Sequence, residues 1–179
     1  SGRLHTIDLT SHSECANSPA TIHYGVDYTT PAIDEGFTSG ARCYVSDFSC
    51  WVTAAQCSDG LWKWDWSRDY SEFFSSPTVS DGYVFVGSQV NGMYRMIDAG
   101  SDYQEPNPYM YTGAGSFIDS TAAAWEGKLY FCTSSGNVCC IDESTFTTGE
   151  WTTNLGVAGI TGSPVISAPT GVLFTATDT

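Results

Sequence analysis

The chain has 179 residues and a formal net charge of −14, from 6 basic and 20 acidic side chains. Phosphate binding needs clustered Lys and Arg. Arg3, Arg42, Lys63, Arg68, Arg95 and Lys128 are scattered, which argues against nucleic acid and anionic membrane as partners. No run approaches the roughly 18 apolar residues of a membrane helix, and the length allows one domain with a real core.

The chain opens with Ser1-Gly2-Arg3-Leu4-His5-Thr6-Ile7-Asp8, a turn glycine followed by a strand that ends in Ile-Asp. His5 lies in that strand and reads as a packed or surface histidine rather than a base. His12 and His23 follow in the same stretch. Segment 11–40, which holds His23-Tyr-Gly-Val-Asp-Tyr28, is long for a connection and is expected to supply an outer strand. Trp51-Val-Thr-Ala-Ala-Gln-Cys-Ser-Asp59-Gly60-Leu-Trp-Lys-Trp-Asp65-Trp66 then fits a hairpin turning at Asp59-Gly60. In a strand of period two Trp62, Trp64 and Trp66 share one face. Burial of that face is the favoured reading; left exposed, it would stack on sugar rings and make carbohydrate a candidate ligand.

Two clearer hairpins follow. Gly82-Tyr-Val-Phe-Val-Gly-Ser-Gln-Val-Asn-Gly92-Met-Tyr-Arg-Met-Ile97-Asp98 is one, and Gly127-Lys-Leu-Tyr-Phe-Cys-Thr-Ser-Ser-Gly136-Asn-Val-Cys-Cys-Ile141-Asp142 the other. The chain closes with Gly171-Val-Leu-Phe-Thr-Ala-Thr-Asp178-Thr179, the first half of a third copy whose second half is residues 1–8. Gly82, Gly127 and Gly171 lie 45 and 44 residues apart, and Asp98 and Asp142 lie 44 apart. The turn glycine precedes its Asp by six in Gly92/Asp98, Gly136/Asp142 and Gly2/Asp8. A fixed step of this size marks a repeat architecture. The Trp51–Trp66 copy breaks it, because Gly60 is only 32 residues before Gly92.

Seven cysteines point to an oxidising compartment. A two-residue turn at Ser135-Gly136 would set Cys132 opposite Cys139, and one at Ser46-Asp47 would set Cys43 opposite Cys50. Such cross-strand pairs come within disulfide reach. Cys15, Cys57 and Cys140 remain, so an odd thiol is free or bonded to another molecule. Zinc spacing, a compact calcium loop and a Gly-x-Ser-x-Gly elbow are all lacking. No catalytic, cofactor-binding or metal-binding residue is therefore assigned.

Ser75-Ser-Pro-Thr-Val-Ser-Asp-Gly-Tyr-Val-Phe-Val-Gly-Ser88 with Gly92-Met-Tyr-Arg-Met-Ile-Asp98, and the strand opening Gly162-Ser-Pro-Val-Ile-Ser167, carry a resemblance. With Ile141-Asp-Glu-Ser-Thr-Phe-Thr-Thr-Gly-Glu-Trp151 they resemble repeats of the quinoprotein alcohol dehydrogenase-like (PQQ-like) β-propellers. The resemblance covers 75–179 and 1–10, and 41–67 loosely. It implies four-stranded blades whose middle strands are the hairpins above, with Trp151 docking one blade on the next. Quinoprotein enzymes of that family resemble rings of seven or eight blades and hold their cofactor partly against adjacent cysteines. Cys139 and Cys140 lie inside a strand and point to opposite faces, so that use is not expected.

The expected fold is an all-β propeller of about four four-stranded blades, one split between the N- and C-terminal segments. The repeats fall at about 11–74, 75–118, 119–162, and 163–179 plus 1–10. The absence of an initiator Met and the mid-repeat ends lead us to expect a segment of something longer. The expected function is a non-enzymatic, extracellular or cell-surface scaffold without cofactor, joined head to tail to further copies of itself or within a tandem protein. The alternatives are a fragment of a quinoprotein dehydrogenase-like enzyme and a carbohydrate-binding propeller.

Overall fold

A computed structural model of the chain describes residues 2–22, 29–37, 40–67, 72–90, 92–98, 100, 109–111, 116–147, 149–157 and 159–177. Segment His23–Tyr28 lies outside these residues, as do Ser1, Asp178 and Thr179. Every regular element among the described residues is a strand.

Four short strands come first: β1 (Gly2–Leu4), β2 (Ile7–Asp8), β3 (Ser13–Glu14) and β4 (Ala20–Ile22). β1 pairs with β4, and β2 with β3, both antiparallel. Three four-stranded antiparallel blades follow. Blade 1 is β5 (Ala32–Asp34), β6 (Arg42–Ser46), β7 (Trp51–Gln56) and β8 (Trp62–Ser67). Blade 2 is β9 (Thr78–Ser80), β10 (Tyr83–Ser88), β11 (Gly92–Ile97) and β12 (Tyr109–Tyr111). Blade 3 is β13 (Ala123–Trp125), β14 (Lys128–Cys132), β15 (Asn137–Asp142) and β16 (Gly149–Asn154). A two-stranded sheet, β17 (Val165–Ser167) with β18 (Val172–Phe174), closes the series.

Turn chemistry sets these registers. Asp81-Gly82 joins β9 to β10 with φ of 48° and 78°, and Glu126-Gly127 joins β13 to β14 with 50° and 70°. Two consecutive left-handed residues make the two-residue turn whose twist matches an antiparallel pair. The turn joining β14 to β15 is one residue longer than expected. Cys132 pairs with Val138, the Thr133 N–H reaches the Asn137 carbonyl (2.9 Å), and Ser134, Ser135 and Gly136 form the loop. Gly136 has φ 82°, and a Cβ there would lie 1.7 Å from the Val157 carbonyl oxygen.

Blade 1 corrects the sequence reading. Its β6–β7 turn is Phe48-Ser49-Cys50, closed by an Asp47 N–H to Trp51 O bond of 2.8 Å. The hairpin turning at Asp59-Gly60 is therefore the third and fourth strands, not the middle pair. Cys50, at φ 77°, stands where blade 3 has Gly136. Counted from Cys50, the step to Gly92 is 42, beside 44 from Gly92 to Gly136. Segment 11–40 supplies β3 and β4, which pair with β2 and β1, and β5, the first strand of blade 1; it does not supply the outer strand of that blade, which is β8.

The first strands run side by side, β5 next to β9, β9 next to β13 and β13 next to β17. The second strand of blade 2, β10, is apolar on both faces because it is covered twice. Val84 and Val86 join Tyr44, Val52, Ala54, Trp64 and Phe73 between blades 1 and 2. Phe85, on the other face of β10, joins Leu129, Phe131, Ile141 and Phe146 between blades 2 and 3. Such burial contributes about 1.5–3 kcal/mol per large side chain, and alternation lets one strand serve two cores. A smaller cluster of Cys132, Val138 and Ile160, with Leu173 against it, ties blade 3 to β17–β18.

Candidate functional site

Polar groups join blade to blade in a repeating order. The Thr30 N–H donates to Ser76 Oγ (2.8 Å), the Ser76 N–H to Thr121 Oγ1 (3.2 Å), and the Thr121 N–H to Ser163 Oγ (3.0 Å). Each residue stands just before the first strand of its sheet, followed by Pro31, Pro77, Ala122 or Pro164. The hydroxyl accepts from the preceding blade while the backbone N–H of the same residue donates to the following one.

A second join lies on the outer side of these strands. Asp98, at the end of β11, is buried and accepts from Arg42 Nη1 at 2.6 and 2.7 Å, Tyr44 Oη at 2.9 Å and Trp64 Nε1 at 2.9 Å. Arg42 Nη2 continues to the Gly100 carbonyl (2.7 Å), and the Gly100 N–H returns to Asp98 Oδ1 (2.9 Å). Burial, with the Asp98 charge beside it, raises the Tyr44 phenol well above its ordinary value. Arg95 repeats the device one blade on, donating to the carbonyls of Glu143 (2.7 Å) and Ser144, with its guanidinium over the Tyr83 and Phe146 rings. Glu143 itself is buried, and neither carboxylate oxygen has a donor at hydrogen-bonding geometry among the described residues. Desolvation pushes its carboxyl above the ordinary range; the Ser80 hydroxyl opposes this, and the Asp81 and Asp142 charges add to it. Asp142 is held well below its usual range by the Thr145 N–H, the Ser144 hydroxyl and Lys128.

At one end of the row lies a cavity of about 240 Å³. Trp125, Tyr130 and Trp151 of blade 3 line one side; Ile166, Gly171 and Leu173 of the β17–β18 sheet line the other. Trp151 packs against Tyr130 with ring centroids 6.1 Å apart and remains 44% exposed. The far edge of β18 pairs with no strand, and β1 likewise has a single partner among the described residues.

The residues singled out from the sequence fall as follows. All seven cysteines are thiols. Cys139 faces Phe131 and Cys132 faces Val138, because the three-residue loop shifts the register by one. Cys43 likewise faces Ala55, with Cys50 in the turn. Burial, with Cys57 nearby, pushes the Cys43 thiol up to about 12. The three tryptophans do not share a face. A bulge at Lys63 sets Trp64 opposite Ala54 but Trp62 opposite Ala55, so Trp62 turns away and is 41% exposed. Trp64 is buried, and Trp66 packs at 5.1 Å from the Tyr94 ring. His5 pairs with Glu14 on the surface. Sequence reasoning missed Arg42 and Asp98 as a buried pair, and it missed the Thr30, Ser76, Thr121 and Ser163 series. The series had a signal in three hydroxyl-Pro pairs at the repeat spacing; Arg42–Asp98 had none.

No protein-family model matches the chain, and no curated protein matches it. Among solved structures it is similar to BamB from Moraxella catarrhalis, a β-propeller, at 17% identity and TM-score 0.53, over 70% of this chain and 37% of that one. It is also similar to the computationally designed Ika8 protein, at 13% identity and TM-score 0.63, over 89% of this chain and 48% of that one. The fold is a β-propeller. The chain spans less than half the length of these two proteins. Within this propeller the Thr/Ser series marks the inner strands, and the Arg42–Asp98 pair locks blade 1 to blade 2.

Proposed function

We propose that the chain is a structural, non-enzymatic propeller module of the PQQ-like type that joins head to tail with further copies of itself, or with equivalent modules of a longer protein. What supports this reading is the pair of two-stranded sheets, β17–β18 and β1–β4, in which β18 and β1 have one strand partner each among the described residues, where the middle strands of the complete blades have two. β17–β18 stands next to blade 3 in the position of a first and second strand. The loop after β2 repeats the loop after β15, which marks the β1–β2 segment as third-strand material. Together the two sheets amount to one blade.

An unpaired edge is a template for strand addition from another chain. Pairing β18 of one copy with β1 of the next is heterologous, and it builds a ring or a filament depending on whether the rotation closes. The exposed apolar side chains Val165, Val172 and Phe174 on one half-blade, and Ile7 and Leu9 beside the other, favour covered rather than solvated ends. The setting we propose is extracellular or at the cell surface, where the charge of −14 would keep assemblies soluble.

Sedimentation of the purified chain over a wide concentration range tests this. The expected result is a series of masses at multiples of 19.3 kDa that grows with concentration. A 19.3 kDa monomer persisting at millimolar concentration would overturn it.

A further inference from the structure

Between blades 2 and 3 the join is filled. Phe85 and Tyr111 of blade 2 meet Ile141 and Phe146 of blade 3 in one buried cluster, with the Phe146 ring 5.7 Å from Phe85 and 6.5 Å from Tyr111. Ile141 and Phe146 come from the third strand of blade 3 and the loop after it. One blade further on, Tyr130 stands where Phe85 stood, and Trp151, joined to it across the strand pairs Tyr130–Cys140 and Cys140–Trp151, lies on the same face of blade 3, turned towards β17–β18. Among the described residues that half-blade has no third strand, and the cavity lies on that side of blade 3.

A matching third-strand segment exists elsewhere in the chain. Asp8 Oδ1 accepts from the Thr10 N–H (2.7 Å) and the Ser11 N–H (3.2 Å), while the His12 N–H reaches the Asp8 carbonyl (2.8 Å) with His12 at φ 56°. Asp142 Oδ1 accepts from the Ser144 N–H (3.0 Å) and the Thr145 N–H (2.9 Å), while the Phe146 N–H reaches the Asp142 carbonyl (3.1 Å) with Phe146 at φ 50°. The two loops match residue for residue, so Ile7 corresponds to Ile141. Ile141 is fully buried and Ile7 is 48% exposed.

We propose that Ile7 of a second copy fills the cavity lined by Tyr130, Trp151, Ile166 and Leu173, an assignment that rests on the head-to-tail reading and names its contact. The ends of the hydroxyl series fit the same joint. Among the described residues the Ser163 N–H has no acceptor and the Thr30 hydroxyl no hydrogen-bond partner, although the equivalent groups at each intervening step are bonded. Docking a second copy in the repeat order brings its Thr30 hydroxyl to this Ser163 N–H. The apolar contact and the hydrogen bond then continue the same interblade interface across the junction.

The test uses Ile7→Asp, Trp151→Asp and, as a control at an exposed turn away from both ends, Val90→Asp (59% exposed). Association of V90D should match wild type, while I7D and W151D should each weaken it by at least about 100-fold, since a carboxylate would replace or face a buried apolar group. A mixture of I7D and W151D should form dimers and stop there, because one intact cavity meets one intact Ile7. Dimers in the mixture also show that both variants are folded. Wild-type association unchanged in I7D, or no dimer in the mixture, overturns the Ile7 assignment and leaves the head-to-tail reading standing. A wild type that never associates overturns both.

Discussion

Asp98 concentrates more polar bonding than any other side chain described above, and its donors come from two strands of the neighbouring blade. Removing one member of a buried, hydrogen-bonded ion pair leaves the other charge unpaired, which costs about 3–5 kcal/mol. Asp98→Ala should therefore lose stability on that scale in urea unfolding; a loss below about 1 kcal/mol, the size expected of a surface pair, would contradict the buried geometry. Glu143 makes the opposite kind of statement. Its folded-state carboxyl is raised by burial, so the folded protein holds a proton that the unfolded chain releases near the ordinary value of 4.5. Its contribution to stability is present at low pH and is lost as pH rises through the raised folded value. E143Q should match wild type near pH 4 and become the more stable of the two as pH climbs; a difference independent of pH would count against this. For the cysteines, tryptic mapping without reductant should yield no peptide linking Cys132 to Cys139 or Cys43 to Cys50, since neither pair is in register.

Among elements, the turns decide most. Gly136 combines a left-handed backbone with a carbonyl 1.7 Å from where a Cβ would stand. Gly136→Ala should destabilise by about 2 kcal/mol or more, the left-handed cost and the displaced Val157 backbone acting together; a neutral outcome in thermal unfolding would show that this backbone yields freely. The same turns explain what the sequence could convey. Asp81-Gly82 and the Gly-to-Asp spacing exposed the repeat and the strand order of blades 2 and 3, because those positions demand left-handed residues and an Asp that accepts from the next turn. In blade 1 the sequence pattern points one strand too far along, because Cys50 rather than a glycine occupies the left-handed position. Trp62, Trp64 and Trp66 do not share a face for a related reason: a bulge at Lys63 breaks the period of two, and nothing local in Trp62–Trp66 announces a bulge. The hydroxyl series was visible only as scattered Thr-Pro and Ser-Pro pairs, whose meaning depends on contacts 42–46 residues away.

At the scale of the whole molecule, the described residues form three complete blades between two half-blades, and the joins between complete blades share one plan. Apolar second and third strands pack face to face, inner hydroxyls hand one hydrogen bond forward, and arginines reach across to the next blade. Such a row is stabilised mostly by nearest-neighbour contacts, and the head-to-tail reading proposed above treats its two ends as complementary. The open edges of β18 and β1 are the central claim, and amide hydrogen exchange reads them directly. The chain is compared at micromolar and near-millimolar concentration. The account predicts that amides of Gly2–Leu4 and Val172–Phe174 gain protection together as concentration rises, while those of β10 and β14, already paired on both sides, do not change. Exchange at β1 and β18 that stays fast at every concentration would contradict it.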